Sequence, residues 1–241
     1  MEIGKAFRFV TEDEQWITKV LIGGLVLSIP LLGVIAVLGY SCRVAQNVAC
    51  GNPRPLPAWG EFGDFLRRGF FALIIQIAYL LPLLLPLIVW CGGGFVFLTV
   101  AGAAAAAEYS GAVAGVLGLL TLCLIFIVAP CGFASQAAIM RYLATDSLGE
   151  AFKFGEVIAT LRSNIGAFQM TQVVSSRAGL IAGLGVIACG IGVLFTAFYA
   201  QCVIGHAIGQ AMQRIFPPQQ PVYAAPDYYG PPPGYGPPPS Y

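Results

Sequence analysis

The chain has 241 residues, of which 58% are hydrophobic and only 10% charged, with a mean hydropathy of +0.80 and a formal net charge of +1. A soluble domain is roughly a quarter charged, and a water-soluble core of this length could not hide so much apolar surface. With a near-neutral balance and no long basic run, the sequence has no electrostatic footprint for nucleic acid, which drops out as a partner.

Residues 1–19 mix Glu2, Glu12, Asp13 and Glu14 with Lys5, Arg8 and Lys19, and read as an N-terminal interfacial segment. The apolar run behind them is longer than the core of a signal peptide, so a cleaved leader is not expected. From there to residue 213 the sequence predicts a helical membrane domain. Four stretches carry no Asp, Glu, Lys or Arg: 20–42, 69–107, 109–140 and 178–213. About 20 apolar residues at about 1.5 Å rise cross the hydrocarbon, so each stretch is long enough to span it as helix. The expected fold is all-α and polytopic, with the first and last regions either crossing once or broken and re-entrant.

Pro30 is the breaking point of the first stretch, because proline removes a backbone donor and clashes with the preceding turn. The fourth stretch has Cys189-Gly190-Ile191-Gly192 in the same role. If all four stretches cross once, eight of the twelve basic residues share one side and four lie opposite. If the first and last re-enter, all twelve face the cytoplasm with the N-terminus, and only the loop at Glu108 faces out. The positive-inside bias favours the second arrangement. Against it, legs of roughly eleven residues reach only about 16 Å.

The two ends of the chain resemble each other. Gly4-Lys5-Ala6-Phe7-Arg8-Phe9 recurs as Gly149-Glu150-Ala151-Phe152-Lys153-Phe154, and at an offset of 159 Leu21, Gly24, Leu25, Gly33, Val34 and Tyr40 match Leu180, Gly183, Leu184, Gly192, Val193 and Tyr199. Either the halves are duplicated, as in many membrane bundles, or two Gly- and Leu-rich helices agree by composition.

After the first stretch, alternate prolines in Gly51-Asn52-Pro53-Arg54-Pro55-Leu56-Pro57-Ala58-Trp59 forbid helix, and Trp59 is placed as an interfacial anchor. Residues 61–71 then put Phe62, Phe65, Leu66 and Phe70 on one helical face, and residues 151–170 do the same with Phe154, Val157, Leu161, Ile165 and Phe168. Both read as amphipathic helices lying in the headgroup plane.

On these residues a resemblance becomes specific. Phe7-Arg8-Phe9, Glu12-Asp13-Glu14-Gln15-Trp16, Lys19 to Gly24, Ile29-Pro30, Gly39-Tyr40 with Arg43, Asn47 and Gly51, Leu56-Pro57-Ala58-Trp59 and Gly63-Asp64-Phe65 up to Gly69 resemble a prokaryotic membrane-protein family, domain of unknown function 4013. The likeness is dense over residues 4–71 and diffuse to about 213; Ala58 stands where acidic residues are common in the family. It implies a cell-membrane protein and brings no activity with it.

Ionisable residues at bilayer depth are functional candidates by default. Here only Glu108 and His206 qualify. Gln76, Thr99, Gln136 and Gln201 read as polar glue between helices. The seven cysteines form no CxxC pair and read as packing residues. No phosphate loop, GxSxG or HExxH motif is present, so no catalytic residue, metal or cofactor is assigned. What the stretches do offer is small residues. Gly111 and Gly115, Gly179 and Gly183, and Gly205 and Gly209 are GxxxG pairs that let helix backbones meet within the bundle, in a homo-oligomer or in a larger membrane complex. Pro82 and Pro86 are expected to break the second stretch.

Residues 214–241 form a tail in which ten prolines and five tyrosines follow Phe216. It is expected to be a disordered polyproline-like extension. Pro232, Pro233 and Tyr235, and Pro238, Pro239 and Tyr241, fit PPxY patterns and are its candidate contacts for a peripheral protein. The leading expectation is a non-enzymatic membrane scaffold or anchor in contact with lipid. The alternative is a transporter or channel component with duplicated halves.

Overall fold

The computed structural model describes residues 3–84, 88, 110–185 and 192–216, and among the described residues there are helices and turns and no strand. In chain order the helices are α1 (Ile3–Arg8), α2 (Trp16–Leu27), α3 (Leu32–Ala49), α4 (Phe62–Leu80), α5 (Ser110–Thr145), α6 (Leu148–Ala151), α7 (Phe154–Ser163), α8 (Ile165–Leu184) and α9 (Gly192–Ile215). Pro86, the glycines and alanines of 92–107, Glu108, Cys189 to Ile191 and the tail from Pro217 lie outside the described residues.

The first apolar stretch breaks where proline predicts. α2 stops at Leu27, Leu31 takes a positive φ of 66°, and α3 restarts at Leu32. Only a glycine fits two residues later, because a Cβ on Gly33 would run into the carbonyl of Val26. The fourth stretch turns back likewise. Thr196 donates a 3.0 Å hydrogen bond from Oγ1 to the Ala182 carbonyl, and a Cβ on Gly185 would meet the Gly192 backbone at 2.9 Å. These two close approaches, Val26 to Gly33 and Gly185 to Gly192, fall at the same offset of 159 as the sequence matches.

Together the two legs of each pair outrun the charge-free stretch they contain, with 12 and 18 residues in α2 and α3 and 20 and 24 in α8 and α9. That is about 18 to 36 Å of helix rather than about 16 Å. The difference arises because polar residues continue the helices wherever they find partners. Arg43 reaches Glu61 at 3.6 Å, Gln46 donates to the Leu143 carbonyl at 3.0 Å, and Asn47 donates to the Pro55 carbonyl at 2.9 Å. Among the described residues two helices, α3 and α9, are long and apolar enough to cross a membrane.

Backbone contact closes the seams between them. α3 and α9 run parallel. Ser41 donates to the Gln201 carbonyl at 2.8 Å, Gly205 and Gly209 sit where a Cβ would come 2.5 Å from the carbonyls of Ser41 and Ala45, and Gln213 donates to the Val48 carbonyl. α4 runs antiparallel to α3, with Gly39 against the Phe65 carbonyl and Gly69 against the Ile35 carbonyl. α2 lies antiparallel to α9, its Gly23 and Gly24 covered by the rings of Phe198 and Phe195. α5 lies antiparallel to α4, with Phe71 edge-on to Tyr142 at 5.9 Å.

The amphipathic segment 61–71 does not end as a separate helix. It is the first part of α4, and its face of Phe65, Arg68 and Gly69 continues through Ala72 and Ile75 into the core between α3 and α5. Pro82 lies in a 3₁₀ turn, Leu81–Leu83, that closes α4. Residues 151–170 divide at Asn164, between α7 and α8, and Val157 and Phe168 share one buried cluster with Ala211 and Met212.

Helix directions place the N-terminal ends of α2, α4 and α8 with the C-terminal ends of α3, α5 and α9. Lys19, Arg54, Arg67, Arg68, Arg141 and Arg214 belong to this basic end.

Candidate functional site at the basic end of the helices

Three proline-loop carbonyls in a row are held by side chains from two helices. Proline carries no N–H, so this loop cannot pair with itself, and its acceptors must be met from outside. Asn47 Nδ2 donates to the Pro55 carbonyl at 2.9 Å, Lys19 Nζ to that of Leu56 at 3.0 Å, and Tyr40 Oη to that of Pro57 at 2.9 Å. In return, Trp59 Nε1 donates to the Lys19 carbonyl at 3.1 Å, and its indole stacks on Tyr40 with centroids 4.8 Å apart. Lys19 is 6% exposed and ion-paired at 2.8 Å with Asp13, itself 9% exposed. Asp13 also accepts from the Gln15 N–H at 2.9 Å just before α2 begins.

A second polar group locks α4 to the end of α5. Arg68 is 2% exposed, and its guanidinium donates to Asp64 at 2.7 Å and to Asp146 at 3.1 Å; Arg67 adds a longer contact to each. Asp146 holds a positive φ of 50° between α5 and α6. Arg141 pairs with Glu150 at 2.7 Å and with Glu156, and Lys153 pairs with Glu150 at 2.5 Å. Hydrogen bonds from Lys153 first, then Arg141, hold the Glu150 carboxyl below its ordinary pKa. These ion pairs fasten helix ends.

Beside the clasp lies an open cleft of about 520 Å³, bounded by α1, the proline loop and the last turns of α9. Lys5, Glu12, Asn52, Gln210 and Arg214 supply its polar lining, and Phe9 and His206 its inner wall. His206 is 4% exposed; its ring packs on Phe9 with centroids 4.4 Å apart, and its Nδ1 lies 3.3 Å from Nε2 of Gln210. The Gln210 side-chain amide can pair with Nδ1 in either tautomer of the ring, donating through its nitrogen or accepting through its oxygen.

Of the glycine pairs, only Gly205 and Gly209 mediate a helix seam. Among the described residues a Cβ on Gly115, Gly179 or Gly183 would meet nothing within 4 Å, and Gly111 lies in the first turn of α5. Pro30 and Pro82 sit at helix breaks, while Pro86 and the tail positions Pro232, Pro233, Tyr235, Pro238, Pro239 and Tyr241 lie outside the described residues. Gln136 donates to Gln172 at 3.3 Å, tying α5 to α8. Sequence reasoning missed Arg68 as a buried anchor. It missed the cleft as well, since Lys5, Asn52, His206 and Arg214 come from distant parts of the chain.

The clasp residues Lys19, Tyr40, Asn47, Leu56, Pro57 and Trp59 are among those on which the family likeness was read. No curated protein and no solved structure matches the chain. The family model described as "Protein of unknown function (DUF4013)" matches residues 22–191, opening within α2 and so leaving Asp13 and Lys19 outside it, and since this is more than half of the chain, the protein belongs to that family.

Proposed function

We propose that the chain is a polytopic integral protein of the cell membrane that acts as a non-enzymatic scaffold or anchor. Its membrane part consists of three antiparallel helix pairs, α2 with α3, α4 with α5 and α8 with α9, whose basic end faces the cytoplasm in keeping with the positive-inside bias. Leu25, Leu180 and Leu184, at 65%, 73% and 62% exposed, then face lipid. The Pro/Tyr-rich tail leaves from the basic end after Phe216 and gathers peripheral proteins there. The open glycine face of α8, Gly179 and Gly183, is available to a second copy or another membrane protein.

The observation that carries this reading is where the polar side chains act. Lys19, Tyr40 and Asn47 hold the proline loop, Arg68 and Arg141 hold helix ends, and the seams of α3 with α4 and α9 are closed at backbone contact. The transport alternative draws on a different observation, the equivalent breaks of the two end pairs, since broken and repeated helices line many substrate sites. Removing residues 217–241 tests the scaffold. The truncated protein should lose most co-purifying proteins, and liposomes carrying the full chain should pass a panel of solutes no faster than empty vesicles. An unchanged partner set, or flux above empty vesicles, contradicts the scaffold.

A further inference from the structure

We infer that the cleft between α1, the proline loop and α9 is a binding site for a phosphate group, presented by an anionic lipid headgroup or by a soluble phosphate compound. Its outer lining carries two cations, Lys5 and Arg214, against one carboxylate, Glu12. None of the three takes part in an ion pair among the described residues. At the inner wall His206, buried on Phe9 and beside Gln210 at Nδ1, has no hydrogen-bond partner at Nε2 among the described residues, and Nε2 donates to an anion when it carries the ring proton. The side-chain amide of Asn52 adds a neutral donor. A cavity with two exposed cations, a buried imidazole and an amide matches the needs of a phosphate, whose several oxygens take charge-assisted hydrogen bonds.

A simpler account of the cations is that they offset the carbonyl ends of α3 and α9. It covers Arg214, which sits in the last turn of α9, but not Lys5, which arrives on a separate helix, nor the buried histidine. The cleft also lies at the basic end, where a phospholipid headgroup would be found if the helices sit in the bilayer as proposed above. The site itself does not depend on the scaffold reading.

The test uses the full chain in neutral detergent, with two ligand arms. Inorganic phosphate is titrated calorimetrically against chloride at matched ionic strength, and native mass spectrometry records retention of phosphatidylglycerol against phosphatidylcholine. Saturable binding in either arm is expected, weakened at least tenfold in the K5Q/R214Q double variant and tightened in E12Q, which removes the opposing charge. All three positions are exposed, so the variants should keep the elution profile and melting temperature of the parent. Binding of the lipid alone assigns the headgroup as the source, and binding of free phosphate without lipid preference assigns a soluble ligand. No saturable binding in either arm, or binding unchanged by K5Q/R214Q, overturns the site.

Discussion

Lys19 is the last charged residue before the first apolar stretch, and nothing local says that it is buried. Its ammonium is satisfied by Asp13, six positions back, and by the Leu56 carbonyl, thirty-seven positions ahead. The carboxylate can be guessed from its proximity in sequence; the carbonyl cannot. Removing one partner of a buried ion pair leaves the other charge unmet and costs about 3–5 kcal/mol. Lys19→Met keeps most of the stem and strands both Asp13 and the loop carbonyl, so it should destabilise the chain by about 3 kcal/mol in that range. Thermal unfolding in detergent reads the loss directly. The double variant K19M/D13N should regain part of it, and an unaltered melting temperature in K19M would show that the clasp contributes nothing. Arg68 is illegible for the same reason: Asp64, one turn away, is visible in the sequence, but Asp146 is seventy-eight residues on.

Among the elements, helix breaks were the most readable feature and helix ends the least. Proline and glycine act locally, so Pro30 marks the end of α2, and the glycine-containing segment expected to break the fourth stretch falls between the end of α8 at Leu184 and the start of α9 at Gly192. Helix ends depend on remote partners. α3 continues past Arg43 to Ala49 because Glu61, Leu143 and Pro55 meet its polar side chains, which a search for charge-free runs cannot detect. The glycine pairs illustrate the same limit, since spacing marks every GxxxG alike and only three-dimensional placement separates them. Gly205→Leu must force α9 away from the Ser41 carbonyl and should abolish the folded monomer or cost several kcal/mol, within the range of severe overpacking. Gly179→Leu adds a side chain where no described residue lies within 4 Å of the new Cβ, and should change stability by less than about 0.5 kcal/mol. Comparing the melting temperatures and elution profiles of the two variants checks this. Equal behaviour would mean that the α3–α9 seam is not where the bundle is held.

For the molecule as a whole, composition was enough to expect an all-helical protein with apolar helices, because 58% hydrophobic content leaves few other outcomes. The likeness of the two ends was legible as scattered matches at one offset. They gain meaning from the two close approaches at that offset and from Tyr40 and Tyr199, each of which donates to a carbonyl outside its own pair, those of Pro57 and Phe7. The cleft was not legible, since its lining comes from both ends of the chain and from the proline loop between them. The central claim is that the chain enters and leaves each helix pair at the same basic end. Single cysteines, Thr11→Cys, Asn52→Cys, Ser147→Cys and Phe216→Cys, in an otherwise cysteine-free chain can be labelled in sealed vesicles with a membrane-impermeant reagent. All four should react from the same side; labelling of Thr11→Cys and Asn52→Cys from opposite sides would contradict the paired arrangement and restore four single crossings.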